Sequence, residues 1–216
     1  MNYMANEETN TFARYAMHKY WGKKPAKGIH HLINEFTAEG DVILDPFAGY
    51  GVFCCEAYLA GRSVIINDLN PIANFISATV LDQTVDLERV KSSWAKISKK
   101  LAPYIDEWYR IQIDGKDYIA QSILRDSTGL PIKFSYKEGR STKTLDIPED
   151  IAKRFLQFEE DSIINDWYPH NCLIPNSRIS VQEGMMVSDL FTKRTLACHA
   201  RLLALINKYS TGKERD

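Results

Sequence analysis

Two aspartates, Asp45 and Asp68, carry the most informative chemistry in this 216-residue sequence. Asp45 ends the apolar run Val42-Ile43-Leu44 and opens the turn Pro46-Phe47-Ala48-Gly49-Tyr50-Gly51. Proline cannot donate a ladder hydrogen bond, so a strand formed by that run stops there. Gly49 and Gly51 let backbone N–H groups come close to a ligand where a Cβ would collide. A carboxylate at the strand tip can accept bonds from a cationic amine. Asp68 follows a second apolar run, Ser63–Ile66, and can accept bonds from two ribose hydroxyls, as strand-end acids of nucleotide-binding α/β folds do. Taken alone, Asp68 reads equally well as an ordinary strand-end acid. Its pairing with the glycine turn is what points to a ligand.

One acid for an amino-acid end and one for a ribose suits S-adenosylmethionine better than NAD. The turn is not G-x-G-x-x-G, and no phosphate-binding G-K-[ST] occurs.

The elements that must hold these residues follow from hydrophobic spacing. Ile29, Leu32, Ile33 and Phe36 recur at helical intervals, giving a short amphipathic helix over about 27–36 closed by Gly40-Asp41. Val42–Leu44 and Ser63–Ile66 are continuous apolar runs and read as buried strands. A helix over about 52–60 is stopped by Gly61, and Pro71 opens another through about Leu81. Strand, glycine loop, helix, strand, acid, helix is half of a doubly wound α/β sheet, whose ligands sit at the carboxyl ends of the strands. A long helix over about 87–108 comes next. Segments 110–113, 117–124 and 132–136 alternate as strands, with Gly115, Gly129 and Gly139 at the turns. Pro148 starts a helix to about Glu159, 167–179 reads as loop, and a last helix spans about 189–208. The organisation predicted is a flexible tail (1–12), a cofactor-binding α/β core (13–85), a helical and β-hairpin insertion (86–180), and a C-terminal helix returning to the core (181–216).

The run HKYWGKKPAKGIHHLINEFTAEGDVILDPFAGYG, followed by AGRSVIINDLNPIA, resembles site-specific DNA methyltransferases that modify exocyclic amino groups of adenine or cytosine. Those enzymes carry a Lys-Pro element, an Asp-Pro-Phe-x-Gly-x-Gly loop and a strand ending in Asp-x-Asn-Pro. Matching residues here are Lys24 and Pro25; Asp45, Pro46, Phe47, Gly49 and Gly51; and Asp68, Asn70 and Pro71. The resemblance implies a partial Rossmann-like methyltransferase sheet and S-adenosyl-L-methionine as cofactor. Asp45 and the loop amides would then hold the methionine end and Asp68 the ribose, with Ala48, Leu69 and Asn70 also among the cofactor-binding residues. Tyr20, Trp21, Lys24 and Pro25 would border the same pocket. DLFTKRTLACHARLLALI (Asp189–Ile206) is similar to the Asp-Leu-Phe-Thr helix of one subgroup. Tyr50, Val52 and Phe53 stand where many members have Ser or Thr. The paired zinc cysteines found in that subgroup's insertion are missing here, so no zinc requirement carries over.

The same family methylates a delocalised, poorly nucleophilic amine with a [Asp/Asn/Ser]-Pro-Pro-[Tyr/Phe] tetrapeptide. It accepts the amine's protons and stacks on the flipped-out base. This sequence contains no Pro-Pro, and no catalytic residue is assigned. The expectation is therefore a truncated or split methylase acting on DNA. It would need a C-terminal segment or a second polypeptide carrying that motif, and a homodimer is also open. An RNA methyltransferase and a non-catalytic cofactor- or DNA-binding remnant are the alternatives.

Composition limits the rest. Net charge is −1, so a nucleic-acid contact must come from local patches. One is Arg14, His18, Lys19, Lys23, Lys24 and Lys27. Another is Lys133, Lys137, Arg140 and Lys143, interleaved with Phe134 and Tyr136, which reads equally as a solvated face. Cys54, Cys55, Cys172 and Cys198 form no C-x-x-C, and the five histidines have no metal-ligand spacing. Cys54 and Cys55 read as small packing residues. With no bilayer-length apolar run and no apolar leader at Met1–Asn10, a cytoplasmic protein with reduced thiols is expected, and no membrane partner.

Overall fold

A computed structural model describes residues 24–176 and 180–212. The fold is α/β, and the chain divides into two compact units, Met1–Thr84 and Val85–Asp216.

The first unit alternates helix and strand: α1 (Ala26–Phe36), β1 (Val42–Asp45), α2 (Val52–Leu59), β2 (Ser63–Ile66) and α3 (Pro71–Leu81). Ala26, Ile29 and Ile33 form the buried stripe of α1, the helical spacing read from the sequence. The helix stops at Phe36 because the Thr37 hydroxyl and amide both turn back to the Ile33 carbonyl. β1 and β2 pair in parallel, with Val42 opposite Ser63 and Asp45 opposite Ile66. Ile43 and Val64 pack with Ile29, Ile33, Val52, Cys55, Ala57 and Ile76, so all three helices share the one core.

Arg62 closes the base of this unit. Its guanidinium donates to the carbonyls of Thr37 and Ala60, the C-terminal caps of α1 and α2, where a cation meets two negative helix ends. The preceding Gly61 sits at φ +81° and ends α2 in the left-handed conformation.

The expected burial of both strands needs correction. Ile43 is buried, but Val42, Leu44 and Ile65 are 65%, 59% and 54% exposed. Parallel strands normally carry helices on both faces. Here α1, α2 and α3 all contribute to the core around Ile43, so the face bearing Val42, Leu44 and Ile65 stays open.

In the second unit, α4 (Leu87–Tyr109) starts at Asp86, whose carboxylate accepts from the amides of Glu88 and Arg89. β3 (Arg110–Ile113), β4 (Lys116–Arg125), β5 (Pro131–Glu138) and β6 (Ser141–Asp146) then form an antiparallel meander in that order. The turns fall at Gly115, Gly129 and Gly139 as predicted, all at positive φ. α5 (Glu149–Asp161) lays Ala152 and Phe155 against Ile111, Ala120, Phe134 and Tyr136 of the sheet.

α6 (Lys193–Tyr209) packs along α4 within this unit through Ile97, Leu101 and Leu205. It begins at Lys193 rather than near Asp189, because Thr192 accepts the Thr195 amide as N-cap and a short 3-10 turn, Val187–Leu190, precedes it. Its first turn is anchored by Arg194, which is 1% exposed. That guanidinium donates to the Phe155 carbonyl at 2.6 Å and lies 3.6 Å from Glu159. Glu159 also accepts from Arg125 at 2.8 Å. Burial pulls the Arg194 pKa down to about 10.

Candidate functional site

Asp45 ends β1 and Asp68 lies two residues beyond β2, so the parallel register brings both acids to the carboxyl edge of the sheet. The loops that follow are bonded to each other. Asn67 N–H donates to the Asp45 carbonyl at 3.0 Å, and Ala48 N–H donates to the Asn67 carbonyl at 3.1 Å. Asn67 Nδ2 reaches the Pro46 carbonyl at 3.3 Å. The decisive link is between the glycine turn and the second acid: Gly49 N–H donates to Asp68 Oδ2 at 2.7 Å.

The second oxygen of Asp68 accepts the Asn70 amide at 2.8 Å. These two amides, Asn70 first and then Gly49, hold the Asp68 carboxyl below the ordinary aspartate range. It is therefore ionised at neutral pH. An ionised carboxylate offers about four lone-pair sites, so two main-chain donors leave capacity for further hydroxyl donors. Asp45 Oδ1 accepts only the Phe47 amide, at 3.1 Å, among the described residues. Both acids are half-buried.

Asn70 explains the Asp-x-Asn-Pro spacing. Its side chain caps α3 by accepting the Ile72 amide at 3.1 Å, and Pro71 occupies the first helical position, where no N–H is needed. Gly51 adopts φ +78°, and a Cβ there would lie 2.5 Å from Ser77 Oγ on α3. The turn thus presses directly on the helix that follows the second acid.

Four of the loop amides are spent internally. Phe47, Ala48, Gly49 and Gly51 all donate within the paired loops, Gly51 to the Ala48 carbonyl at 2.8 Å. Among the described residues, this edge presents to a ligand its carboxylates and two apolar side chains. Phe47 is 88% exposed and Leu69 99% exposed, one beside each acid.

Residues 2–76 match a family model described as DNA methylase. Over that stretch the chain is similar to the DNA methylase family. The family segment contains Asp45, the glycine turn, Asp68 and the first half of α3. Two curated relatives match the chain as well. A tRNA (guanine(37)-N(1))-methyltransferase of Aedes aegypti is 42% identical over 52 residues, covering 24% of this chain and 9% of that protein. An enzyme of the same name from Saccharomyces cerevisiae is 26% identical over 179 residues, covering 73% of this chain and 32% of that protein. The chain thus spans a third or less of these relatives' length. No solved structure matches it.

Of the residues expected at a methylase site, Asp45, Pro46, Phe47, Ala48, Gly49, Gly51, Asp68, Leu69 and Asn70 lie on the two joined loops. Lys24 is exposed and Pro25 is the N-cap of α1. Tyr20 and Trp21 lie outside the described residues, as do Arg14, His18, Lys19 and Lys23 of the first basic patch. In the second patch, Lys133 pairs with Asp146 at 3.1 Å and Lys143 pairs with Glu138. Much of its charge is neutralised where it stands.

Cys54 is fully buried, and burial, with the nearby Asp45 charge and Cys55, pushes its thiol up to about 12. A neutral thiol of that kind is packing, not a nucleophile. No cluster of metal ligands occurs among the described residues, and no helix there is long and apolar enough to cross a membrane. Sequence reasoning passed over Asn74 and Ser77. Both sit on α3 and touch the site's main chain, at the carbonyls of Asp68 and Gly49.

Proposed function

We propose that the first unit binds S-adenosyl-L-methionine at the carboxyl edge of its parallel strands and forms the donor-binding part of a nucleic-acid methyltransferase. The observation that carries this reading is the 2.7 Å bond from the Gly49 amide to Asp68, which joins the glycine turn to an ionised acid beside Asp45. The donor set fits the group. Asp45 is suited to the ammonium of the methionine end, and Asp68 keeps lone pairs for the ribose hydroxyls. Phe47 and Leu69 offer apolar surface for the nucleoside between them. A site holding a phosphate would instead present free amides or cations.

When bound, the sulfonium supplies an electrophilic methyl group. The chain's own residues hold and orient the donor. Asp68 fixes the sugar, Asp45 fixes the amino-acid end, and the self-bonded turn keeps the two acids apart at a set spacing. The turn is preorganised, because the amides of Phe47, Ala48, Gly49 and Gly51 are already paired.

The acceptor favoured is an exocyclic amine of adenine or cytosine in DNA, supported by the family of residues 2–76. In this reading the amine-activating Pro-Pro tetrapeptide, which these 216 residues do not contain, is supplied by other polypeptide. RNA is the second reading, supported by the two tRNA methyltransferases. Calorimetric titration of the full chain with S-adenosylhomocysteine tests the cofactor claim. Saturable binding that weakens at least about tenfold in Asp45→Ala is expected. No binding by the wild-type chain would overturn it. Transfer of labelled methyl groups to DNA and to tRNA, in the presence of the complementing polypeptide, separates the two acceptors.

A further inference from the structure

α3 holds the site as well as following it. Asn74 Nδ2 donates to the main-chain carbonyl of Asp68 at 2.7 Å. One turn on, fully buried Ser77 places its Oγ 3.4 Å from the Gly49 carbonyl. Asp68 stands outside the strand ladder, which ends at the Asp45–Ile66 pair, and before the helix cap at Asn70. In that junction the peptide after Asp68 is fixed by a side chain, that of Asn74. The Asn70 amide gripped by Asp68 Oδ1 belongs to the very next peptide. Holding the first peptide therefore holds the turn that orients the carboxylate.

The choice of asparagine supports this role. Asparagine is a poorer helix former than leucine or alanine. Its Oδ1 is buried without a hydrogen-bond partner among the described residues, which is unfavourable. The helix would be served as well or better by an apolar residue. What asparagine adds is the donor to Asp68.

The geometry points to Asn74 as a positioning residue for ribose recognition. It holds the Asp68 peptide so that the carboxylate faces the glycine turn and keeps its remaining lone pairs toward the nucleoside. This rests on the methyl-donor reading above, so the test must separate the two.

The full chain is titrated with S-adenosylhomocysteine and with its 2′,3′-dideoxy analogue, in wild type, Asp68→Asn and Asn74→Leu. Asn74→Leu keeps the branched heavy-atom shape and favours helix, and Asn74→Ala serves if the larger leucine does not fit. Wild type prefers the ribose by about tenfold or more, since hydroxyls bonded to a charged acceptor are lost in the analogue. In Asn74→Leu that preference falls to about threefold or less, while affinity for the dideoxy analogue stays within about twofold of wild type. A purely structural role would weaken both ligands alike and leave the preference intact. That result, or no change for either ligand, overturns the inference while Asp68→Asn still abolishes the preference. If wild type binds neither ligand, or Asp68→Asn keeps the preference, the methyl-donor reading fails and takes this inference with it.

Discussion

Asp68 in the first unit and Glu159 in the second are both acids held in place, but by opposite means. Glu159 is 8% exposed and sits between Arg125 and Arg194, with the Arg194 amide also donating to it at 3.2 Å. Its charge is cancelled and its oxygens are enclosed. Asp68 is held by two main-chain amides that carry no net charge, at a sheet edge open to solvent. A carboxylate neutralised by arginines fastens elements together. One aimed by amides alone keeps its charge uncancelled.

That contrast is broken first at Arg194. Arg194→Leu leaves a buried glutamate facing Arg125 alone, and removing one partner of a buried pair costs about 3–5 kcal/mol. Urea unfolding of the full chain should show that loss in the transition of the second unit. A change below about 1 kcal/mol would mean that the network is ornamental. Gly51→Ala is the corresponding break in the first unit. It combines a left-handed backbone with a Cβ 2.5 Å from Ser77 Oγ, and about 1–3 kcal/mol of stability should go with it. Introducing Ser77→Gly beside it should return only the part due to the clash.

The acid limb of the stability curve sharpens the comparison further. Asp68 has a folded pKa below its ordinary value of 3.8, so its contribution is complete above that value and disappears as pH falls through the lower folded pKa. Asp68→Asn should flatten the decline of stability below about pH 4 relative to wild type, read from urea midpoints between about pH 5 and 2. An unchanged profile would mean that the amides of Gly49 and Asn70 do not grip the charge. The smallest effect belongs to Lys143, whose pair with Glu138 is exposed. Lys143→Ala should leave the thermal midpoint and any nucleic-acid affinity unchanged within error, since exposed pairs add little.

Much of this could be seen in the sequence, for identifiable reasons. Local spacing fixed α1 through Ile29 and Ile33, and the turn glycines marked the hairpins of the second unit. The Asp-x-Asn-Pro string gave both the cap and the start of α3, because each side chain there bonds to an amide two residues ahead. β6 was not expected, since Ser-Thr-Lys-Thr-Leu-Asp has one apolar residue and pairs only at the edge of the meander. The exposure of Val42, Leu44 and Ile65 had no local sign, because an apolar run does not say which of its faces other elements cover. Asn74 was overlooked because a lone asparagine in a helix looks ordinary. Its position one turn before Ser77, beside buried Ala73 and Ile76, was the available signal.

In the proposed site each acid holds one end of the nucleoside, and crossed ligand titrations measure that division of labour most directly. Wild type, Asp45→Ala and Asp68→Asn are each titrated with S-adenosylhomocysteine, its desamino analogue and its 2′,3′-dideoxy analogue. Asp45→Ala should erase the preference for the amino group and leave that for the ribose, and Asp68→Asn should do the reverse, each preference being about tenfold or more in wild type. Both variants losing both preferences equally, or neither losing any, would contradict a site in which one acid holds each end of a single nucleoside.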